Sequence, residues 1–409
     1  MDSKKLSLER LWVLMVTAFV DMIGYALIIP LLPFYATRFG ADAFTVGLLM
    51  AIFALAQMLS SPLWGRLSDH MGRRPVILFS QVLAAAAYVV FAYAESVPLL
   101  LLSRFLQGAG GGTPSVVSAY VSDAVQPSER AKALGWITAC TSAGVMIGPA
   151  IASFSVGYGY HVPGLISAGL CGLNILFVWR WLPESAPKVK KSKPRRSVRG
   201  QIGDVLAHPL EATSSLILIY TAGMMAFMAM NAVMALFLAS RFGITEESIG
   251  WFYFAVGGVS VIMRAILLGA LVQRFGEVRI LRIGAFLLGL GMIVAPFATT
   301  PWQFLSAIIL LPAGTALLFP STTSLVSRYA DPEVVGQTMG VQQSFGGMSR
   351  LVGPIWAGAA FQHLGEPMPF WLAGALVWLT GIFALRLQPG EARKKEEARD
   401  SFTPSQSAG

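Results

Sequence analysis

The sequence predicts an all-α integral membrane protein of twelve spanning helices arranged as two similar halves. Three observations predict it. The 409 residues are 55% hydrophobic and only 12% charged, where a soluble globular chain carries about a quarter charged residues. Apolar runs of the roughly twenty residues that a spanning helix needs recur along the whole length. A set of glycines, with an Arg-Phe pair, a leucine and a proline, also repeats at an offset that starts at 203 residues and drifts to 205.

The spans can be taken in order. The first, 11–36, carries Asp21, Pro30 and Pro33. Its apolar run goes on past residue 30 with no small-residue cleavage site, so it reads as a span and not as a cleavable signal. The second, 43–64, ends at the charged stretch Gly65 to Arg74, and the third, 75–94, restarts at Pro75. The fourth, 97–120, contains Arg104, and the fifth, 131–156, contains Gly144, Gly148 and Pro149. The sixth, 162–182, closes the first half, 1–182. The stretch 183–212 holds Lys188, Lys190, Lys191, Lys193, Arg195, Arg196 and Arg199 around Pro187 and Pro194. Like charges broken by proline read as a solvated linker. The second half, 213–387, follows with spans at 213–239, 247–271, 280–298, 301–326, 335–361 and 367–387. A polar tail, 388–409, is expected to be disordered.

The repeat joins the halves. Arg38-Phe39-Gly40 and Gly47 recur as Arg241-Phe242-Gly243 and Gly250; Gly65, Leu67 and Gly72 as Gly269, Leu271 and Gly276; Gly135, Gly148 and Pro149 as Gly340, Gly353 and Pro354. Two six-helix halves related by an axis along the membrane normal are one known transporter plan. The 30 Lys and Arg then set the orientation. Arg38 and Arg241 fall on one side, and Arg104, Arg264 and Arg350 inside spans. The others fall to the N-terminus, the even-numbered loops, the linker and the tail. The positive-inside rule makes that second side cytoplasmic, with both termini on it. The net charge of +9 therefore belongs to membrane topology and does not mark a nucleic-acid surface.

Several function classes drop out. Cys140 and Cys171 both lie inside apolar runs and offer neither a disulfide framework nor a metal site. His70, His161, His208 and His363 have no companion at ligand spacing. There is no nucleotide-binding loop and no nucleophile–base pair. The reading is not an enzyme, with no metal and no cofactor, and transport is expected to run on an ion gradient.

Four motifs resemble the major facilitator superfamily, across the whole membrane part. Gly65-Arg66-Leu67-Ser68-Asp69-His70-Met71-Gly72-Arg73-Arg74 is similar to its signature between the second and third helices. Arg104-Phe105-Leu106-Gln107-Gly108 resembles the fourth-helix arginine motif. Gly144 to Gly148-Pro149 resembles the fifth-helix motif of antiporters. Asp21-Met22-Ile23-Gly24-Tyr25, followed by Pro30 and Pro33, is similar to the first helix of drug:proton antiporters, with the nearest likeness to tetracycline efflux proteins. Those exporters carry further carboxylates in the third and ninth helices. Here the third reads Ala84-Ala85-Ala86-Ala87-Tyr88 and the ninth has no acidic residue. The resemblance implies a monomeric, multi-pass protein of the cell membrane that exchanges protons for a small amphiphilic substrate across the lipid bilayer.

The residues supply their own chemistry. Asp21 is the one carboxylate well inside a span, near mid-membrane at about 1.5 Å per residue, where an Asp costs roughly 2.5–3.5 kcal/mol. It is expected to be a proton carrier, neutral when apolar surroundings close over it and ionised when water or a cation reaches it. Arg104 is expected to reach towards Asp21, with Gln107 at i+3 to orient either group. Gly65, Asp69, Gly72, Arg73 and Arg74 are expected to form an inner gate. In this fold the eleventh helix starts near Asp69, and its partly positive N-terminus around Val335-Gly336 would hold the carboxylate when the inner side closes. Gly144, Gly148, Pro149, Gly353 and Pro354 are expected to act as hinge and seal, since small residues let backbones approach and proline bends them. For substrate, the candidates are Tyr25, Gln343, and Met228 and Asn231 of the methionine-rich seventh span, because methionine adapts to irregular shapes. Arg264 and Arg350 complete the set. Buried in a half without acidic spans, these two arginines support an alternative, a carrier of organic anions or lipid phosphates. A non-transporting receptor or scaffold is the alternative outside transport.

Overall fold

The computed structural model describes residues 11–126, 129–185, 198–330 and 334–387. The basic residues expected in the linker from Lys188 to Arg196, and the tail 388–409, lie outside the described residues. Among the described residues there is no strand. Among these residues ten helical stretches are long and apolar enough to cross a membrane. Two more predicted spans are helical but fail that measure for visible reasons. The fourth is broken at Gly110–Gly112 into two short helices. The eleventh is one 30-residue helix diluted by Gln337, Gln342, Gln343, Ser349 and Arg350.

The helices are α1 (Trp12–Ile28), α2 (Leu32–Arg38), α3 (Ala43–Met71), α4 (Arg73–Ala92), α5 (Val97–Ala109), α6 (Thr113–Ala124), α7 (Arg130–Val156), α8 (Val162–Trp181), α9 (Val198–Ala207), α10 (Ala212–Phe242), α11 (Ile249–Ile262), α12 (Leu268–Phe275), α13 (Glu277–Val294), α14 (Pro301–Ile308), α15 (Leu310–Tyr329), α16 (Val335–Leu364), α17 (Met368–Gly381) and α18 (Phe383–Arg386). Pro30 has no N–H to give to the helix, and the first span breaks there into α1 and α2. Residues 65–71, expected as a loop, are the last turns of α3. Only Gly72 makes the turn, at φ 95°, a left-handed conformation open to glycine at little cost. The α9 helix lies within the stretch expected as linker.

Two compact units result. The first takes in Met1–Ser192, Asn231–Val261 and Pro354–Glu366; the second takes in Lys193–Met230, Ile262–Gly353 and Pro367–Gly409. In the first, α1 packs along α7 and α8, and α4 along α5 and α8; in the second, α13 packs along α15 and α17. The third span thus contacts the fourth and sixth as the ninth contacts the tenth and twelfth, which is the pairing the sequence repeat implies.

Within the first unit, segments from both halves of the sequence meet at the end bearing Arg38 and Arg241. A Cβ on Gly47 of α3 would stand 2.3 Å from the Pro354 carbonyl oxygen of α16, and one on Gly250 of α11 would stand 2.1 Å from the Pro149 carbonyl oxygen of α7. Gly47 and Gly250 are repeat mates, as are Pro149 and Pro354, so the two contacts are reciprocal copies of one contact. Gly358 on α16 adds a third close approach, to the Ala43 carbonyl.

Candidate functional site

Asp21 sits half-buried at the middle of α1. Its Oδ1 accepts a hydrogen bond from Gln81 Nε2 of α4 at 3.2 Å. Tyr88 of α4 and Cys171 of α8 lie within range of its charge. The α1 helix can place it there because its opposite face is fitted to α7 without side chains in between. A Cβ on Gly144 would come 2.5 Å from the Phe19 carbonyl oxygen, and one on Gly148 would come 2.8 Å from the Ala26 Cβ.

Arg104 departs from expectation. It is 1% exposed, yet it does not pair with Asp21. Its Nη1 donates to Gln107 Oε1 one turn further along α5, and Gln107 Nε2 donates to the Tyr88 hydroxyl at 2.7 Å. The guanidinium lies 4.7 Å from the Phe53 ring centroid and 6.0 Å from that of Tyr25, distances at which a ring face attracts a cation. The reason is local: the i+3 amide is the nearer acceptor, and two rings provide the rest of the surroundings. Asp21 and Arg104 are therefore joined through α4, by Gln81 and Tyr88, and not by contact. Sequence reasoning missed Gln81, a lone amide in an apolar run, because it searched the third span for carboxylates.

The gate residues form a cluster of their own. Arg73 Nη1 donates to Asp69 Oδ1 at 2.8 Å and to Ser68 Oγ, while its Nε donates to Asp123 Oδ2 at 3.0 Å. The Arg73 side chain is 10% exposed and that of Asp69 is 63% exposed, so Arg73 is the fixed member and Asp69 the one presented to the surroundings. Glu184, after α8, caps α4 by accepting from the backbone N–H of Arg73 at 2.7 Å and of Arg74 at 3.2 Å. Gly72 serves that cap as well as the turn, because a Cβ there would fall 2.6 Å from the Glu184 carboxyl carbon. Arg74 donates to the Trp179 carbonyl. Gly65 carries no such demand: a Cβ there meets open space. Asp123 and Glu184 escaped sequence reasoning because each lies at a helix end, where carboxylates are ordinary.

In the second unit, the charge of Arg350 on α16 lies within reach of the Tyr220 phenol. Gly346, one turn earlier, leaves room for that ring, whose Cε1 would lie 3.0 Å from a Cβ. Arg264 is exposed and sits in a π-turn, Met263–Leu267, between α11 and α12. Such single turns are frequent at functional sites. Gln343 is exposed and Met228 half-buried; Gly353 packs on the Met225 carbonyl. Tyr25 and Asn231 belong to the first unit, and both are half-buried. Met230 and Met234 are buried in packing, which removes them from any open surface. Among the described residues no group of His, Cys, Asp and Glu could hold a metal ion.

Comparison with known proteins agrees with this architecture. The Major Facilitator Superfamily family model matches residues 14–264 and 216–408. The class C tetracycline resistance protein of Escherichia coli is 28% identical over 386 residues, covering 92% of this chain and 96% of that one. Multidrug resistance protein 2 of Bacillus subtilis is 27% identical over 384 residues, covering 90% and 92%. The crystal structure of the human organic anion transporter MFSD10 superposes with a TM-score of 0.69 at 22% identity, covering 92% of this chain and 99% of that chain.

Proposed function

The chain belongs to the major facilitator superfamily, and from that premise we propose that it is a proton-coupled exporter of amphiphilic organic compounds working by alternating access. The relatives named for tetracycline and multidrug resistance support the substrate class, and membership of a transporter family makes it a carrier and not an enzyme. The proposal rests above all on Asp21. A carboxyl group whose hydrogen-bond partner is the neutral amide of Gln81 can gain or lose a proton without breaking an ion pair. Arg104, held by Gln107 and covered by Phe53 and Tyr25, keeps a fixed positive charge on the far side of Tyr88.

In this reading the end bearing Arg38 and Arg241 faces outward, both termini are cytoplasmic, and the protein works as a monomer in the cell membrane. The reciprocal Gly47–Pro354 and Gly250–Pro149 contacts are the outer seal, and they must part for release outside. Asp69, exposed and held in register by Arg73, is the inner gate's carboxylate in this reading. Gly144 and Gly148 keep α1 and α7 together as one moving piece.

The test is proton flux in inside-out vesicles with an acidified lumen, adding tetracycline, ethidium and a small organic anion one at a time. Discharge of the gradient by tetracycline or ethidium in wild type but not in Asp21→Asn is the expected result. Equal discharge by both proteins would remove Asp21 as the carrier. One observation favours a second reading: Arg264 is exposed on a π-turn, and that turn has no acidic residue. If only the organic anion discharges the gradient, and Arg264→Ala abolishes the effect, the substrate is anionic.

A further inference from the structure

Below Asp21, on the side towards the start of α1, three side chains are buried with an oxygen that has no partner. They are Thr17 Oγ1 on α1, Gln81 Oε1 on α4 and Asn174 Oδ1 on α8. None is more than 2% exposed. They belong together: Thr17 and Asp21 are one turn apart on one face of α1, Gln81 donates to Asp21, and Asn174 Nδ2 donates to the Thr17 carbonyl at 3.5 Å. A buried polar atom without a partner costs free energy and calls for a reason. Three on three adjoining helices, one of them bonded to the Asp21 carboxyl and another one turn from it, are too concentrated to be accidents of packing.

The next layer is the opposite in character. One turn further towards the same end lie Val13 on α1, Ile77 on α4 and Val178 on α8. These stand four residues from Thr17, Gln81 and Asn174 in turn, and all three belong to one buried apolar cluster. A polar layer next to Asp21 is thus closed off by an apolar layer of matching composition on the same three helices.

We propose that this pair of layers is the inner proton gate of Asp21. Protons move between Asp21 and the inner side through Thr17, Gln81 and Asn174, by way of water admitted when Val13, Ile77 and Val178 part. The groups near Asp21 on the packed helices are Gln81 and Tyr88 of α4 and Cys171 of α8; no lysine or arginine is among them. The path runs through the interior of the α1–α4–α8 packing, so proton and substrate need not share a passage. The proposal rests on Asp21 being the proton carrier.

The experiment needs no substrate. The full-length protein in lipid vesicles is studied by infrared spectroscopy at low pH, where the carboxylic acid band that disappears in Asp21→Asn reports the Asp21 proton. On transfer to heavy water, the rate at which this band shifts measures proton access. Thr17→Val with Asn174→Leu keeps the shape and removes the polar layer; exchange is expected to slow by about tenfold, the effect of one hydrogen bond's net worth on a barrier. Thr17→Ser keeps the hydroxyl and is expected to exchange as wild type does. Val13→Thr with Val178→Thr puts hydroxyls into the closing layer, and exchange is expected to quicken. Wild-type rates in both double variants would overturn the gate while leaving the Asp21 band, and so the carrier, in place. Absence of any band that Asp21→Asn removes would instead overturn the carrier reading and the gate with it.

Discussion

Replacing Gly250 with alanine tests the seal most directly. The added methyl carbon would lie 2.1 Å from the Pro149 carbonyl oxygen and 2.5 Å from Ser153 Oγ. Both are far inside contact distance, and the first obstacle is backbone, which cannot rotate away as a flexible side chain would. Ser153 is also held, donating to the Glu246 carbonyl at 2.8 Å and accepting from the Gly250 N–H at 2.7 Å. Overpacking a tight contact costs about 1–3 kcal/mol, here charged to the sealed state alone. A differential of that size moves a two-state equilibrium by roughly 5- to 150-fold. The assay is labelling of Val46→Cys, beside Gly47 and fully buried, by a membrane-impermeant maleimide in a background where Cys140 and Cys171 are replaced. Gly250→Ala and Gly47→Ala are both expected to raise the labelling rate, since each breaks one copy of the same contact. Leu288→Cys, buried in the second unit, should stay unlabelled and so exclude general unfolding. Gly65→Ala, which meets open space, should leave labelling and transport unchanged. Unaltered labelling in both seal variants would refute the reasoning.

Three further outcomes are expected. Glu184→Ala removes the cap on α4, and thermal unfolding of the purified protein should show a loss of about 0.5–2 kcal/mol, the usual worth of a helix cap. Arg104→Lys should lower transport nearly as far as Arg104→Ala does, because a compact ammonium cannot keep the Gln107 bond and lie flat on Phe53 together; recovery of wild-type flux by the lysine variant would count against the ring contacts. At alkaline pH the Tyr160 phenol matters: it donates to Glu246 Oε1 at 2.6 Å, and this bond, with burial and the carboxylate's charge, pushes its pKa above the ordinary 10.0. A raised folded value means stability fully present below about pH 10 and lost as pH climbs through the folded pKa. Melting temperature should therefore fall more steeply above pH 10 in wild type than in Tyr160→Phe.

The fold was legible because the bilayer permits few solutions. Apolar length and the repeat are enough to place twelve helices, and only local chemistry moved their ends: Pro30 split the first span, three glycines split the fourth, and the expected loop at 65–71 proved to be helix up to Gly72. The site was legible by residue type and less so by partner. Asp21 and Arg104 stood out as charges in lipid, but a sequence cannot say that an amide at i+3 will take the arginine first, or that Gln81 will hold the aspartate. Asp123 and Glu184 were hidden for a related reason. Their work depends on a turn that brings α4 near α6 and the end of α8, and nothing in their own neighbourhoods marks it. The seal was half visible: the repeat shows Gly47 with Gly250 and Pro149 with Pro354, yet only the packing shows that each glycine meets the other copy's proline.

One helix links the proposed proton site to the proposed outer seal. The α1 face bearing Phe19, Ile23 and Ala26 lies against Gly144 and Gly148 of α7 with no side chains between. Its other face bears Thr17 and Asp21 towards α4 and α8. Contacts this close do not slide freely, because each glycine sits under a particular carbonyl or Cβ and a shift along the axis brings a larger residue there. Motion of α1 is therefore motion of α7 also. The next residue after Gly148 on α7 is Pro149, whose carbonyl receives Gly250 at the seal. On the proposed reading, a change in protonation at Asp21 would alter what α4 and α8 offer α1, and the glycine contacts would pass the displacement to a seal contact one residue from Gly148. Coupling of this kind needs a rigid element with two arrangements that both sites bias, and the α1–α7 pair has the packing for that role. An aspartate suits the proposed role where an asparagine would not, since only a group that takes up and releases a proton lets protonation bias the two arrangements.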